Sequence, residues 1–342
     1  MFDKIKKIPS YLKSINKRIN KIGLLNTLKE IFKYNSFYYK LLKKNGVHVG
    51  YKTILFHTAF YTKIVNLFSD ISTNELIKII PRSITHGIYE KIKLNRKDIT
   101  YDKYKMYERM SNNGINIPEI FLITENNSRC IVTNKTFEEL KMISEKSRIL
   151  VKPRFANGGV GIHLLKQTDS ILDNHIYQSF VYNHKDIIAL QGSDFCGTIR
   201  YVIYNKSKSE KLPVAASIQM NGGKITDHMM NGGSFSASVD LETGKISTNG
   251  LDHLGNLFDS NPISGSKVLG FQIPHWNKLL AIVEKTCNEY LELPLIAFDI
   301  AITDNETVIL EINAGCGTVA AQFDKGWLNH PFVKDYFNLN NT

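Results

Sequence analysis

Ala297-Phe298-Asp299-Ile300-Ala301-Ile302-Thr303-Asp304-Asn305-Glu306-Thr307-Val308-Ile309-Leu310-Glu311-Ile312-Asn313-Ala314 sets two apolar runs on either side of a turn-forming tripeptide. Phe298, Ile300, Ile302, Val308, Leu310 and Ile312 fall on even positions, the period-two stripe of a half-buried strand. Asp299, Glu311 and Asn313 fall on odd positions and share the other face. Asp304-Asn305-Glu306 favours a turn, and a hairpin symmetric about Asn305 sets Asp299 opposite Glu311. Side chains paired in this way stand about 4.5–5.5 Å apart at Cβ, so the two carboxylates repel unless a cation lies between them. Oxygen-only donors on a rigid strand pair suit Mg²⁺, with Asn313 as a third donor. The alternative is a solvated acidic face on an edge hairpin. Ala314-Gly315-Cys316-Gly317-Thr318 follows, a loop small enough to bring backbone amides up to an anion.

Further upstream, Lys152-Pro153-Arg154-Phe155-Ala156-Asn157-Gly158-Gly159-Val160-Gly161-Ile162 joins two extended segments. It is not a P-loop, which needs Gly-Lys-Ser/Thr opening a helix. Backbone donors around Asn157, Gly158, Gly159 and Gly161 can still cover phosphates, because no side chains stand in the way. Lys152 would add a point charge, although a glycine-rich hairpin without any ligand is equally compatible. Ile176–Val181 is an apolar strand that could offer hydrogen bonds to a purine ring, with His184 or Asp186 within reach of a ribose; an ordinary core strand is the competing reading. Thr198 and Arg200 share one face of the next strand, and Arg200 is a candidate fork for a phosphate or carboxylate. Lys103, in Asp102-Lys103-Tyr104, is a second candidate phosphate contact or a surface lysine.

The chain has 342 residues, of which 43% are apolar and 22% charged, the balance of a globular protein with more than one subdomain. Its four cysteines form no CxxC pair, which predicts reduced thiols in a cytoplasm and excludes a disulfide framework or zinc site. The net charge of +11 is concentrated in residues 1–45, where twelve Lys or Arg face only Asp3 and Glu30. The remainder is near neutral, so no nucleic-acid partner is expected. Lysines interrupt every apolar run of the N-terminus, and no stretch approaches the roughly 20 apolar residues of a membrane span. Ile5, Ile8, Leu12, Ile15, Ile19 and Ile22 instead give a basic amphipathic helix. It is either a solvated face or a surface for anionic lipid or an acidic partner. Residues 46–95 read as mostly helical. A helix over Tyr101–Asn113 then leads to strands at Phe121–Thr124, Ile149–Pro153, Val160–Lys166, Ile176–Val181, Thr198–Asn205, Leu212–Met220, Ala297–Thr303 and Thr307–Ala314, with a helix over Trp276–Tyr290. Strand groups separated by helices are an α+β arrangement.

Asp-Lys before a helix, Lys-Pro with a glycine loop, an apolar strand, Thr-x-Arg, then Asp and Glu-x-Asn occur in one order. Over about residues 96–320 this resembles the ATP-grasp superfamily. Thr198-Ile199-Arg200, Asn231-Gly232-Gly233-Ser234, Val239-Asp240-Leu241-Glu242-Thr243-Gly244 and Gln272-Ile273-Pro274-His275-Trp276 narrow the likeness. They point to the sugar-transfer-associated ATP-grasp proteins of bacterial surface-polysaccharide loci. The resemblance implies an ATP-grasp fold, two α+β subdomains gripping ATP, after a basic helical region at 1–95. The subdomains would be an N-terminal part at 96–148, a lid at 149–190 and a metal-bearing C-terminal part at 191–342.

It also implies ATP and Mg²⁺ as cofactors. Lys103, Lys152 and the 157–161 loop would hold phosphates; Gln178, Phe180 and Val181 would lie at adenine, and His184 or Asp186 at ribose. Asp299, Glu311 and Asn313 become metal ligands, and Arg200 and Lys152 the catalytic residues. Gln178 departs from the glutamate of many relatives, and the loop lacks an extra Lys or Arg beside its glycines. Thr198, Arg200, His228, Asn231, Gly232, Gly233 and Gly317 would bind substrate. The implied activity is that of a cytoplasmic ATP-dependent carboxylate–amine ligase working through an acyl phosphate on surface-polysaccharide components. Its substrates would be a small carboxylate and an amine, in some cases sugar-linked. The basic N-terminus would rest peripherally on the inner membrane face or on a glycosyltransferase. Two further readings are a phosphotransferase acting on a hydroxyl and a non-catalytic nucleotide-binding module.

Overall fold

In the computed structural model two antiparallel sheets carry the strands. The first contains Ile120–Thr124 (β1), Cys130–Thr133 (β2), Ile149–Pro153 (β3), His163–Leu164 (β4) and His175–Ser179 (β5), in the order β2-β1-β5-β3-β4. The second contains Thr198–Asn205 (β6), Lys211–Met220 (β7), Phe235–Val239 (β8), Gly250–Leu251 (β9), Leu257–Phe258 (β10), Leu295–Ile302 (β11) and Thr307–Ala314 (β12). Its order is β10-β9-β8-β7-β6-β11-β12. The main helices are Ile8–Ile22 (α1), Leu24–Lys44 (α2), Arg82–Lys91 (α3), Lys103–Asn112 (α4), Phe137–Ser144 (α5), Lys185–Gln191 (α6), Trp276–Glu289 (α7) and Pro331–Tyr336 (α8). The structure describes residues 8–342 except 51–52, 54, 56, 59–60, 62–63, 66–70, 96, 157, 227–233, 253–255, 316–319, 323–324, 338 and 340–342. The α+β expectation and the helical N-terminal region both hold.

The chain forms two compact units, one of residues 1–94, 251–257 and 315–342, the other of 95–250 and 258–314. In the second unit, local signals and packing agree. Asp102 caps α4, its carboxylate accepting from the Tyr104 amide at 3.0 Å, and Thr136 with Glu139 forms a capping box at α5. The first sheet closes on Leu122, Leu140, Ile149, Val151 and Tyr177. The second buries Ile199, Tyr201, Ile218, Ala237, Phe298, Ile300 and Ile312. The Tyr201 ring lies 6.1 Å from that of Trp276 at the start of α7, so this helix packs beside the sheet's apolar residues.

Two expectations need correction. The strand expected over Val160–Lys166 contracts to His163–Leu164, because Gly158, Gly159 and Gly161 all take left-handed φ and the chain turns instead of extending. The expected even-numbered stripe also breaks. Register runs Phe298 with Ile312 and Asp299 with Glu311, then slips by one so that Ile300 pairs with Ile309. Leu310 is the extra residue of a β-bulge. Ile309 therefore takes the buried place expected for Leu310, and Val308 moves to the face of Ala301 and Asp299.

The first unit is organised around a buried charge. The Arg18 guanidinium donates to both Glu30 oxygens at 3.0 and 2.8 Å, and Tyr61 and Thr73 hydroxyls donate to the same carboxylate at 2.6 Å. Nearby, His57 Nε2 meets the Ser83 hydroxyl at 2.6 Å, while its Nδ1 has no partner among the described residues. Burial pushes this imidazole down from 6.5 to about 4. The unfolded chain therefore takes up a proton first. Stability is complete above pH 6.5 and is lost as the pH falls towards 4, by up to about 3 kcal/mol. Urea melts at about pH 7.5 and about pH 5 are expected to show this loss, and His57→Asn to flatten it.

Candidate functional site

The register of the second sheet assembles a polar face. Glu311, Asp299, Arg200, Ser217 and Ser238 lie opposite one another in a single row across β12, β11, β6, β7 and β8. A second row, Thr198, Gln219 and Ser236, runs beside it on the same face. Gln219 Nε2 donates to the Ser236 hydroxyl at 2.8 Å and to the Ser217 hydroxyl at 3.2 Å. The charged end is tied by a fork: Arg200 Nε and Nη2 donate to the two Asp299 oxygens at 2.8 and 2.9 Å. Asn313 Nδ2 donates to Asp299 Oδ2 at 3.3 Å. Arg200 thus pairs with the carboxylate from the side away from Glu311.

Two lysines enter from other elements. Lys103 is the first residue of α4 and Lys152 lies near the end of β3; both are only 5% exposed. Lys103 Nζ stands 3.5 Å from Glu311 Oε1 and also donates to the Ala156 carbonyl. Lys152 Nζ donates to the Tyr107 hydroxyl and sits 4.6 Å from that ring's centroid. The Tyr107 hydroxyl in turn donates to the carbonyl of the bulged Leu310 at 2.6 Å. Burial holds the Lys152 ammonium down to about 7; Glu311 opposes that shift and Lys103 adds to it.

A second fork fixes these lysines. Arg154 Nε and Nη2 donate to both Asp102 oxygens at 2.6 Å, and Nη1 reaches Glu125 at 3.3 Å. Asp102 precedes Lys103 and Arg154 follows Lys152 by two, so one ion pair joins the start of α4 to the end of β3. Sequence reasoning missed Asp102, Arg154 and Tyr107 as positioning residues. The signal was present in a cap residue before Lys103 and an arginine just past a strand. It also missed Ser217, Gln219, Ser236 and Ser238, although Phe235-Ser236-Ala237-Ser238-Val239 alternates plainly.

The glycine loop follows Lys152. A Cβ on Gly159 would stand 2.9 Å from the Thr226 side chain, and one on Gly161 would stand 2.8 Å from Pro153, at φ values of +72° and +78°. Side chains are excluded here by space as well as by backbone conformation. Gln178 shares the Lys152 face of the first sheet, since Leu150 pairs with Gln178 and Lys152 with Ile176. It is 1% exposed, and its Oε1 has no partner among the described residues. A buried amide oxygen left in this state is costly unless a donor reaches it.

Phe180 donates its amide to the Arg148 carbonyl at 3.3 Å, and its ring lies 5.3 Å from the Arg148 guanidinium. Val181 is half-buried beyond β5. His184 and Asp186 are occupied at the start of α6, where His184 Nδ1 accepts from the Asp186 amide at 3.2 Å. The His184 amide also donates to the Ile302 carbonyl, three strand residues or about 10 Å along from Asp299. Lys103, Lys152 and Glu311 therefore come together, and Thr198, Arg200, Asp299 and Asn313 share one sheet face with Glu311. His184 and Asp186 stand apart at the cap. Asn157, His228, Asn231, Gly232, Gly233 and Gly317 lie outside the described residues.

The donor chemistry suits a hard cation with phosphate ligands. Two facing carboxylates and an amide offer oxygen only, and two buried lysines beside one of them favour an anion alongside the metal. Among the described residues no group of three or more His, Cys, Asp or Glu side chains is placed to hold a metal alone. A cation here would draw further ligands from water and phosphate.

Comparison with known proteins adds sequence-level support. Residues 170–330 match the family model described as sugar-transfer associated ATP-grasp. No curated protein matches the chain. Among solved structures, N5-carboxyaminoimidazole ribonucleotide synthetase from Thermotoga maritima aligns over 64% of this chain and 42% of its own, at 11% identity and TM-score 0.37. Carboxyaminoimidazole ribonucleotide synthase from Aspergillus clavatus, complexed with ATP, aligns over 71% and 56%, at 13% identity and TM-score 0.40. D-alanine–D-alanine ligase from Bacillus anthracis, complexed with ATP, aligns over 74% and 72%, at 12% identity and TM-score 0.41. This chain thus spans about half the length of the first two of these proteins. Likenesses so distant carry no argument about activity. The motif resemblance coincides with a direct sequence match to the sugar-transfer associated ATP-grasp family model over residues 170–330, which hold β5 and the whole of the second antiparallel sheet.

Proposed function

We propose that this protein is an ATP- and Mg²⁺-dependent carboxylate–amine ligase. The observation that carries the reading is the convergence of three basic side chains, the buried Lys103 and Lys152 and the half-buried Arg200, on only two carboxylates, Asp299 and Glu311. Buried charge is costly unless paired, and a triphosphate is an anion of the right chemistry to complete the balance. ATP supplies the phosphoryl group, and Mg²⁺, held through Asp299, Glu311 and Asn313, would offset charge on its oxygens.

The chain's own residues position and neutralise the reactants. Lys152 and Lys103 hold phosphate oxygens, and the Gly158–Gly161 backbone lies over them without side chains to obstruct it. Arg200 is both a fork for Asp299 and a donor to an incoming carboxylate or the transferring phosphoryl group. A carboxylate oxygen attacks phosphorus, the bond to the ADP oxygen breaks, and an acyl phosphate forms. An amine then attacks the acyl carbon, inorganic phosphate leaves with the bonding pair, and the ammonium gives up its proton. Such a sequence needs no covalent enzyme nucleophile, and the site supports it by orientation and charge. The polar rows Ser217–Ser238 and Thr198–Ser236 beside Arg200 suit a hydroxyl-rich acceptor. With the family's sugar-transfer association, they favour a sugar-linked substrate from surface-polysaccharide synthesis.

Hydroxylamine tests the acyl phosphate, because it converts one to a stable hydroxamate. The purified protein with Mg²⁺, ATP and a panel of sugar acids and amino acids is expected to release ADP and form hydroxamate with at least one carboxylate. Glu311→Gln should lower this by about a hundredfold or more while leaving the melting curve in place. Phosphorylation of a hydroxyl with no hydroxamate from any acid would replace the ligase by a phosphotransferase.

Gln178 makes the nucleotide choice testable. Its unpartnered Oε1 can accept from the exocyclic amino group of adenine, whereas the guanine oxygen at that edge offers no donor. Gln178→Leu should weaken ATP binding about tenfold and narrow the gap between ATP and GTP in competition titrations. An unchanged ratio would remove Gln178 from the adenine pocket.

A further inference from the structure

The long N-terminal helix α2 carries a surface that the nucleotide site does not use. Its buried side is Thr27, Glu30, Tyr34, Tyr38, Leu41 and Leu42. Away from that side, Leu24, Leu28 and Phe32 recur every four residues, and Leu25 lies beside them at about 100° per residue. All four are exposed, Leu25 at 67% and Phe32 at 75%. Single exposed apolar residues are ordinary, whereas four in one ridge mark an interaction surface.

Charge identifies the kind of partner. Lys29, Lys33 and Lys40 form the next stripe around the helix, all exposed, and Lys43 lies over the Tyr39 ring at 5.8 Å. The only acid in α2 is Glu30, and it faces inward onto Arg18. The exposed surface of this helix therefore presents an apolar ridge and a lysine border with no acidic group. Among the described residues no helix is long and apolar enough to cross a membrane.

We infer that α2 lies along an anionic lipid surface, with Leu24, Leu25, Leu28 and Phe32 among the acyl chains and Lys29, Lys33 and Lys40 at the headgroups. A helix with this division of faces binds through its apolar area together with electrostatic attraction. A soluble acidic polymer would use the lysines and leave the ridge in water. A second copy packed ridge to ridge would bring like-charged lysine stripes together. Lipid satisfies both features at once.

The test is flotation of the full-length protein with vesicles of phosphatidylglycerol and phosphatidylcholine, against phosphatidylcholine alone. The protein should float with the anionic vesicles, lose binding as salt is raised, and bind neutral vesicles at least about tenfold less. Leu25→Ser with Phe32→Ser, and separately Lys29→Glu with Lys33→Glu, should each reduce binding by about tenfold or more. Circular dichroism melts should match the unaltered protein, because all four side chains are exposed. Phe32→Trp should shift its emission to the blue on adding anionic vesicles. Absence of flotation, equal binding to both vesicle types, or full binding by either double variant would overturn the inference. So would dimerisation in solution abolished by the Ser variants without any vesicle binding.

Discussion

Two carboxylates, Asp299 and Glu311, stand directly opposite on adjacent strands, and Arg200, Asn313 and Lys103 answer that repulsion. Arg200 meets Asp299 from β6, and Lys103 meets Glu311 from the first turn of α4. Neither cation arrives from a neighbouring position in the chain, so the sheet order and the docking of α4 are both conditions for the pair. Lys152 adds a third cation from the other sheet, held through Tyr107 to the carbonyl of Leu310. The bulge at Leu310 is part of the same design. By slipping register beyond Asp299 it exposes a carbonyl for Tyr107 and keeps the hydrocarbon face continuous through Ile309.

The arrangement depends on a support that touches neither carboxylate of the pair. Arg154 and Asp102 form a two-pronged ion pair, mostly buried, that couples the residue before Lys103 to the residue two after Lys152. Buried pairs of this kind contribute more to fixing geometry than to net stability. Their value here is that two lysines, each with a long flexible stem, are delivered to one place. The first unit uses the same device, since Arg18 and Glu30 are buried together with Tyr61 and Thr73 closing the remaining lone pairs.

Much of this was legible in the sequence because it was local. The alternation around Asp304-Asn305-Glu306 specifies a hairpin, but the ladder next to the turn pairs Ile302 with Thr307 and is not centred on Asn305; the bulge at Leu310 is what brings Glu311 opposite Asp299. The limits of β3, β6 and β12 follow from apolar runs bounded by turn residues. The bulge was hidden, because a one-residue slip leaves the alternation of Val308, Leu310 and Ile312 looking regular while Ile309 takes the core. Arg154 and Asp102 were hidden for a different reason: their pairing spans 52 positions, and nothing local distinguishes them from surface charges. The seryl and glutaminyl rows became visible only through the order β8-β7-β6-β11-β12. His184 and Asp186, placed near a ribose by the resemblance, form the start of α6, where the imidazole accepts from the Asp186 amide and the Asp186 carboxylate stays exposed.

Titration calorimetry shows whether Lys103, Lys152 and Arg200 receive a nucleotide. With Lys152 held down to about 7, most of the population is neutral at about pH 8, and a bound triphosphate would restore its charge. ATP with Mg²⁺ should therefore bind at that pH with proton uptake, seen as a heat that depends on the ionisation enthalpy of the buffer. Affinity should fall as pH rises above 7, and Lys152→Met should lose both the binding and the proton. No binding of ATP to the unaltered protein, with or without Mg²⁺, or undiminished binding by Lys152→Met, would rule out a nucleotide site at these side chains.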